Sequence, residues 1–227
     1  PGTQFIAEVK TSSAKTRLIP FEFSTTQTYI LEFGNQYMRV FKDKSQVLSG
    51  GSAFEISTPY LTAELFDIKF AQSADVMYIT HPSHETKKLS RTGHTSWTLT
   101  TVDFTNGPYL DTNTSTTTIT ASAQTVGTGR TFTASASTFV SSDVDRLIRF
   151  RDGHAKITGF TSATVVTVEI LVDTGSATAS TDWSLGAFSD STGYPSCVTF
   201  FEQRLVFAGT LNNPQTIYFS KSGDYEN

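Results

Sequence analysis

The stretch IPFEFSTTQTYILEFGNQYMRVF, which occupies Ile19–Phe41, alternates apolar and polar residues in short runs separated by turn-forming residues. Alternation with a period of two is typical of β-strands that bury one face. Phe21 and Phe23 are expected on one face of the first strand. Because glycine accepts positive φ, Gly34-Asn35 is predicted to be the turn into the third strand. The stretch therefore predicts a small antiparallel meander of three strands.

Two later stretches, Ile68–Leu89 and Val198–Ser220, have the same organisation. Recurrence of such a meander is typical of a β-propeller, in which each sheet, or blade, needs neighbours to bury both of its faces. The step from Phe23 to Phe70 is about 47 residues, close to the ~40–50 of one blade. The step from Phe70 to Phe200 is far longer, which indicates that roughly 75–80 residues are inserted between the second and third units. A closed propeller needs at least ~4 blades, so we expect this chain to be part of a longer polypeptide.

Shorter segments flank these units. Phe5–Lys10 (FIAEVK) alternates and is predicted to be a strand, and Ser96–Phe104 is predicted to add a strand to the second unit. A turn is predicted at Gly50-Gly51. The best helical candidate is the short segment Thr62–Asp67, since no window keeps a 3.6-residue apolar period over the roughly three turns of a usual helix.

From Asp111 to about Gly186 the composition changes, because more than a third of the positions are Ser or Thr and aromatic residues are scarce. A generic Ser/Thr tract would be a disordered linker, but here short apolar runs recur at about ten-residue spacing. The predicted strands are Thr116–Ala121, Arg130–Ala136, Arg146–Phe150, Ala155–Phe160 and Val165–Val172. The residues available for a core are Leu147, Ile148, Ile157, Val166, Val168 and Ile170. We predict an inserted small β-barrel or sandwich, after which Trp183 and Leu185 lead the chain back.

These patterns divide the chain into three parts. Residues 1–110 are predicted to form the first propeller-like blades, residues 111–186 the inserted domain, and residues 187–227 the continuation of the propeller. The predicted fold class is all-β, with partial propeller-like antiparallel sheets around the inserted domain.

The composition excludes several classes of function. A formal charge of −4 and a pI near 5.5 argue against tight nonspecific binding to duplex DNA, which requires clustered Lys and Arg. Cys197 is the single cysteine, so an internal disulfide is excluded. No apolar stretch approaches the ~20 residues of a membrane-spanning helix, and no membrane insertion is expected.

Few residues have the type and spacing that catalysis or metal binding requires. A zinc site needs three or four ligands that converge in a fixed geometry, whereas Pro82 makes a turn between His81 and His84, His94 lies ten residues further on, and the single cysteine is more than a hundred residues away. A propeller glycosidase would use paired carboxylates, but no flanking motif selects the pairs Asp103 with Asp111 or Glu32 with Glu55. The sequence contains neither a glycine-rich phosphate loop nor a serine-nucleophile motif. We predict no enzymatic activity, no metal and no cofactor.

A basic cluster lies in the insert and consists of Arg146, Arg149, Arg151 and Lys156. On a strand, Arg149 and Arg151 would share a face. A solvated face is the first interpretation, and contact with a neighbouring subunit or partner is the second. These four residues are therefore the candidate contact site.

Several strings point to a known family. They are RLIPFEFSTTQTYILEFGNQYMRVF (Arg17–Phe41), FAQSADVMYITHPS (Phe70–Ser83), KLSRTGHTSWTLT (Lys88–Thr100), FVSSDVDRLIRFRDGHAKITGFTSATVVTVEIL (Phe139–Leu171), DWSLGAFS (Asp182–Ser189) and YPSCVTFFEQRLVFAGTLNNPQTIYFSKSGDYEN (Tyr194–Asn227). With these strings the chain resembles the tail nozzle, or tail tubular protein B, of short-tailed bacteriophages and the related tail or DNA-stabilisation proteins of prophages. The resemblance covers nearly the whole chain, and the ending SKSGDYEN is its most specific part.

This resemblance implies a structural virion protein, made in the cytoplasm of a bacterial host, whose copies form a ring around the channel through which DNA leaves. Its partners would be copies of itself and other tail proteins, with duplex DNA passing transiently and without specific binding. Whether this part of the protein assembles alone or stays monomeric is left open. Two alternatives remain: a virion β module that binds a receptor, glycan or tail fibre, and, less favoured, a propeller glycoside hydrolase.

Overall fold

The chain is an all-β protein in the computed structural model, which describes residues 2–24 and 27–227. The one helix within these ranges is a short 3₁₀ turn at Ser141–Asp143. The strands are β1 (Arg17–Ser24), β2 (Gln27–Gly34), β3 (Tyr37–Lys42), β4 (Ser45–Gln46), β5 (Leu48–Ser49), β6 (Ser52–Ala53), β7 (Glu55–Ser57), β8 (Lys69–Ser73), β9 (Val76–His81), β10 (His84–Gly93), β11 (Ser96–Thr101), β12 (Ile119–Ala121), β13 (Gly127–Ala134), β14 (Leu147–Phe150), β15 (Gly153–Ser162), β16 (Val165–Val172), β17 (Trp183–Leu185), β18 (Cys197–Phe201), β19 (Arg204–Ala208) and β20 (Ile217–Phe219).

The first sheet, blade 1, has the strand order β1-β2-β3-β4, and β7 also pairs with β3. Its predicted turn lies one residue later than expected, because Asn35 and Gln36 connect β2 to β3 and the positive φ of 60° falls on Gln36. Gly34 serves a different purpose. A Cβ atom at this position would lie 2.1 Å from Cε1 of Tyr37, so the glycine makes room for the tyrosine ring.

Blade 2 is the four-stranded meander β8-β9-β10-β11, and blade 3 is the three-stranded meander β18-β19-β20. The predicted turns at Pro82-Ser83 and Gly50-Gly51 are confirmed. In blade 3 the turn between β18 and β19 is formed by Glu202 and Gln203, with φ angles of 45° and 59°. Two residues with positive φ are typical of the tight hairpin turn that follows the twist of the strands.

The three blades stack face to face. One core, which includes Phe21, lies between blades 1 and 2, and a second core, which includes Phe207, lies between blades 2 and 3. Since successive side chains of a strand point to opposite faces, β9 contributes Met77 and Ile79 to the first core and Tyr78 to the second. Blade 2 therefore buries both faces, and the prediction of a partial propeller-like array of antiparallel sheets is confirmed.

The inserted segment forms a six-stranded antiparallel sheet in the order β12-β13-β16-β15-β14-β17. The sheet closes on itself, because the residues just before β17 also pair with β12. Ser180 and Ile119 exchange two backbone hydrogen bonds of 2.9 and 3.0 Å, and Ala177 accepts a third from Ala121 at 3.0 Å. The insert is therefore a small barrel.

A separate core fills the barrel. It is built by Ile119, Ala121, Phe132, Ala134, Phe139, Ile148, Phe150, Ala155, Ile157, Val166, Val168, Ile170 and Trp183. One prediction needs correction here. Leu147 is only half-buried and lies outside this core. Trp183, which is predicted to lead the chain back with Leu185, also packs in this core.

The chain enters and leaves the barrel side by side. Tyr109 bridges to Gly186, and the N–H of Ala187 donates to the carbonyl of Pro108 at 2.8 Å. We call these two paired segments, residues 108–110 and 185–187, the neck. The neck lies beside the predicted division points, although the residue bounds 110 and 186 themselves stay a prediction.

Two predicted elements are wrong. Phe5–Lys10 forms no strand, because no neighbouring strand of the described chain pairs with it. Thr62–Asp67 forms consecutive turns with backbone hydrogen bonds between residues three apart. So short a segment does not offset the cost of nucleating a helix. The predicted polar turn between β1 and β2 includes Thr25 and Thr26, which lie outside the described residues.

Candidate interaction surfaces

Arg146, the first residue of the predicted basic cluster, is buried. Its side chain is 3% exposed and pairs with Asp143, which is 1% exposed, at 2.6 Å. Its Nε also donates to the carbonyl of Gly186 at 2.7 Å. The guanidinium therefore joins the barrel to the neck and does not reach a partner at the surface.

Arg149 and Arg151 do not share a strand face, because β14 ends at Phe150 and Arg151 opens the turn to β15 with a φ of 53°. Arg149 bonds Asp182 at 2.8 Å and Thr112 at 2.9 Å. Arg151 bonds the segment at Thr178, 3.0 Å from its hydroxyl. We call residues 177–182, which pair with β12 and close the barrel, the closing segment. Each arginine thus bonds the closing segment, and the predicted shared cationic face does not form.

Lys156 lies between the barrel and blade 2. Its Nζ is 3.1 Å from a carboxylate oxygen of Asp103, just after blade 2, and 3.9 Å from one of Asp145 in the barrel. Asp103 is 82% exposed, so this bridge is solvated. Lys156 is the member of the predicted cluster that lies at an accessible junction.

A cleft of about 450 Å³ opens at this junction. Its walls come from blade 2, the barrel, the neck and the segment that leads into blade 3. The lining residues are Glu85, Thr86, Thr101, Val102, Asp103, Phe104, Gly107, Pro108, Val144, Asp145, Arg146, Leu147, Lys156, Gly186, Phe188, Ser189 and Tyr194. Because these residues come from distant parts of the sequence, no local pattern could have predicted the cleft.

The cleft combines aromatic walls with a mostly acidic rim. Phe104 and Phe188 pack edge to face, with ring centroids 5.6 Å apart. Burial raises the pKa of Tyr194, and its hydrogen bond to Asp190 adds to the shift, so this hydroxyl remains a neutral donor. The hydroxyl of Thr86 is buried without a hydrogen-bond partner among the described residues. Apolar walls with a few polar groups are the general character of ligand-binding clefts.

The histidines lie in two different places. His81 and His84 have ring centroids 4.9 Å apart, and Nε2 of His84 is 2.9 Å from a carboxylate oxygen of Glu64. His94 bonds the hydroxyl of Tyr29 at 2.7 Å, at the junction of blades 1 and 2. Within the described ranges, no group of three or more His, Cys, Asp or Glu side chains is arranged to hold a metal ion.

The structure brings one of the two candidate carboxylate pairs together. Glu32 and Glu55 both lie opposite Arg39, in a row across the outer face of blade 1. Partial burial would raise the pKa of Glu55, but hydrogen bonds from Lys10 and Arg39 outweigh burial and lower it. Burial, followed by the bond to Glu32, raises the pKa of Tyr37 to about 12. Glu32 is therefore bonded within blade 1, whereas Glu55 is bonded both to Arg39 of blade 1 and to Lys10 of the preceding segment.

Asp103 and Asp111 are the other pair. Asp103 is held by Lys156 at the rim of the cleft, whereas Asp111 follows the neck and does not line the cleft.

Both end faces of the blade stack expose apolar side chains. On blade 3 the face opposite the core exposes Phe201, Ile217 and Phe219, which are 56%, 59% and 55% exposed. On blade 1 the corresponding outer face exposes Leu18 and Ile30, at 63% and 41%. Contiguous exposed apolar side chains on a sheet face mark a place where another element packs.

The final residues fasten blade 3 to blade 2. Tyr225 packs against Phe200 and Tyr78, with ring centroids 5.1 and 6.4 Å apart. Glu226 accepts a hydrogen bond from the hydroxyl of Tyr78 at 3.0 Å and pairs with Lys88 at 2.6 Å. We call residues 221–227 the latch.

Comparison with known proteins gave no family assignment. No protein-family model matches the sequence, and no curated protein matches it. Within residues 2–24 and 27–227, no helix has the length and apolar character needed to cross a membrane.

Proposed function

We propose that this chain is a structural component of a bacteriophage or prophage tail, part of a ring-forming nozzle or hub that lines or supports the channel for DNA ejection. The observation that supports the proposal best is the stack of three blades, whose end faces expose the apolar side chains of Leu18 and Ile30 on blade 1 and of Phe201, Ile217 and Phe219 on blade 3. A body of this kind extends its array through further sheets, which is how rings of sheets are built. The assignment to a phage tail rests on the resemblance of the quoted sequence strings to tail nozzle proteins.

The proposal is tested on particles. Gold-labelled antibodies against the purified chain are applied to phage particles released by the source culture and viewed by negative-stain electron microscopy. Label at the tail end is expected. Label confined to capsids, or particles that lack the polypeptide by mass spectrometry, would overturn the proposal.

A passive channel also predicts weak DNA binding. With a formal charge of −4, and with Arg146, Arg149 and Lys156 engaged by carboxylates, the chain offers little basic surface to displace counterions from a duplex. Fluorescence anisotropy with a labelled 30-base-pair duplex (about three helical turns) should show no saturable binding at physiological salt. A tight, salt-sensitive complex would contradict this part of the proposal.

The second candidate is a module that binds a receptor or tail fibre, and the barrel is the part that would do so. Of its aromatic side chains, Phe132, Phe139 and Phe150 are buried, and Phe160 is exposed by 39%. Sugar recognition relies on exposed aromatic faces, so this distribution favours a protein partner over a glycan. A glycan array should give no binding, and a reproducible glycan ligand would reverse that preference.

A further inference from the structure

Blade 3 has an open edge. β20 is the last strand of its sheet and pairs only with β19 among the described residues, whereas blade 2 has four strands. Ile217 and Phe219 on β20 are 59% and 55% exposed. An edge strand presents unpaired backbone N–H and C=O groups, which makes it a template for another strand.

The same chain contains a strand-like segment that has no ladder. Phe5–Lys10 alternates so that Phe5, Ala7 and Val9 share one face. Phe5 is 81% exposed and Ile6 39% exposed. Within residues 2–24 and 27–227, no strand pairs with this segment. It therefore has the side-chain pattern of a strand that lacks its sheet, and only at its end does the backbone N–H of Lys10 donate to the hydroxyl of Tyr37.

Within one copy, Phe5–Lys10 is held at blade 1, at the opposite end of the stack from blade 3. Lys10 pairs with Glu55 of blade 1, and its ammonium lies 5.1 Å from the centre of the Tyr37 ring. Blades 1 and 3 lie on opposite faces of blade 2, and packed sheets are ~10 Å apart, which places blade 3 ~20 Å away. Five extended residues span at most about 17 Å. Phe5–Lys10 is therefore too short to reach β20 of the same copy and also pair along it.

We propose that Phe5–Lys10 of one copy adds to β20 of a second copy as the fourth strand of blade 3. Backbone hydrogen bonds supply the affinity of strand addition, and alternate side chains supply the register. Since every copy has both the donor segment and the acceptor edge, the contact is head-to-tail and generates a chain or ring of copies. The proposal goes beyond the tail assignment, and it stands or falls without it.

Sedimentation velocity over a concentration series tests the proposal with paired variants of the full chain. Ala7→Pro removes a backbone donor from the added strand, and Thr3→Pro is its control outside the segment. Ile217→Lys places a charge on the acceptor edge, and Val126→Lys is its control on the barrel, where Val126 is 58% exposed. We expect Ala7→Pro and Ile217→Lys each to weaken self-association by about tenfold or more, and the controls to behave like the unchanged chain.

A mixing experiment distinguishes strand addition from nonspecific self-association. Ala7→Pro keeps a working acceptor edge, and Ile217→Lys keeps a working donor segment, so an equimolar mixture should form a dimer and stop there. Circular dichroism of each variant checks that the fold is retained. An unchanged chain that stays monomeric throughout, equal association by Ala7→Pro, or a mixture that remains monomeric would each overturn the proposal.

Discussion

At the scale of single residues, the basic side chains of the insert show how sequence proximity can mislead. Arg146, Arg149 and Lys156 look alike in the sequence, yet one is buried in an ion pair, one fastens the closing segment and one lies at an exposed junction. Which of these roles a cation takes depends on strand ends and on carboxylates far away in the chain. No local pattern contains that information.

Arg146→Met should destabilise the chain by about 3–5 kcal/mol, because it leaves the buried carboxylate of Asp143 without its cation. Arg149→Met removes an ion pair whose side chains are 30% and 53% exposed, and should cost at most about 1 kcal/mol. Urea unfolding followed by circular dichroism compares the two. Equal losses would show that the Arg146 pair is solvated.

Two glycines of β15 give a second matched comparison. A Cβ atom at Gly153 would lie 2.3 Å from the carbonyl oxygen of Val172, a backbone atom that cannot rotate away, whereas at Gly159 the nearest atom is 3.5 Å away. Gly153→Ala should cost about 1–3 kcal/mol in the free energy of unfolding, by analogy with overpacking. Gly159→Ala should be neutral or slightly stabilising, because alanine restricts the unfolded chain. Similar costs at both sites would contradict the close approach at Gly153.

Stability should fall as the pH falls below about 6.5, the usual histidine pKa in an unfolded chain. Burial, reinforced by the neighbouring His84, lowers the pKa of His81, and burial also lowers that of His154, although the hydrogen bond from its ring to the backbone carbonyl of Thr105 acts in the opposite direction. Between the folded and unfolded pKa values the unfolded chain binds more protons, so acid favours unfolding. Thermal unfolding at pH 7.5, 6.5 and 5.5 measures the loss. The double variant His81→Gln/His154→Gln should lose less stability over this range, and an undiminished loss would assign it to other groups.

At the scale of elements, the barrel is expected to fold by itself. Its core is separate from the cores between the blades, and its ends meet at the neck. A fragment of residues 108–187 should therefore unfold cooperatively on heating. Phe132→Ala in the same fragment should lower its stability by about 3–5 kcal/mol. A fragment without a thermal transition would show that the blades support the barrel.

Strands and their side-chain alternation were predictable, because burial of one face leaves a period-two signal in the sequence. Met77, Tyr78 and Ile79 illustrate what that signal omits, since all three are apolar and the strand is buried on both faces. The segment Phe5–Lys10 shows the opposite failure. Its pattern is that of a strand, but a strand exists only where a neighbour pairs with it, and the pattern cannot identify that neighbour.

At the scale of the whole molecule, the latch should stabilise the contact between blades 2 and 3. Tyr225→Ala removes a ring that packs against Tyr78 and Phe200, and should cost about 1–3 kcal/mol. Phe201→Ala is the control, because Phe201 is 56% exposed on the open face and should change stability by at most ~0.5 kcal/mol. Urea unfolding compares the two variants. If Tyr225→Ala left the free energy of unfolding unchanged, blade 3 would be held by the rest of the core between blades 2 and 3 without the latch.

The presence of an insert between the second and third blades followed from counting between repeats, whereas the cleft did not. The cleft is assembled by Glu85, Asp145 and Tyr194, from three distant parts of the chain, and only the packing of barrel against blades brings them together. Interaction surfaces of this kind depend on the relative placement of folded units. That placement is set by many weak contacts, none of which has a sequence signature.

The neck has a consequence for how such a protein can change over evolutionary time. Because Tyr109 and Gly186 are adjacent across a hydrogen-bonded pair, everything between them begins and ends at nearly one point, as a hairpin turn does. The arrangement of the blades therefore does not depend on the length or identity of the unit inserted at the neck. A lineage can exchange the whole barrel for another folded unit, or lose it to a short turn, while the spacing of the blades stays the same.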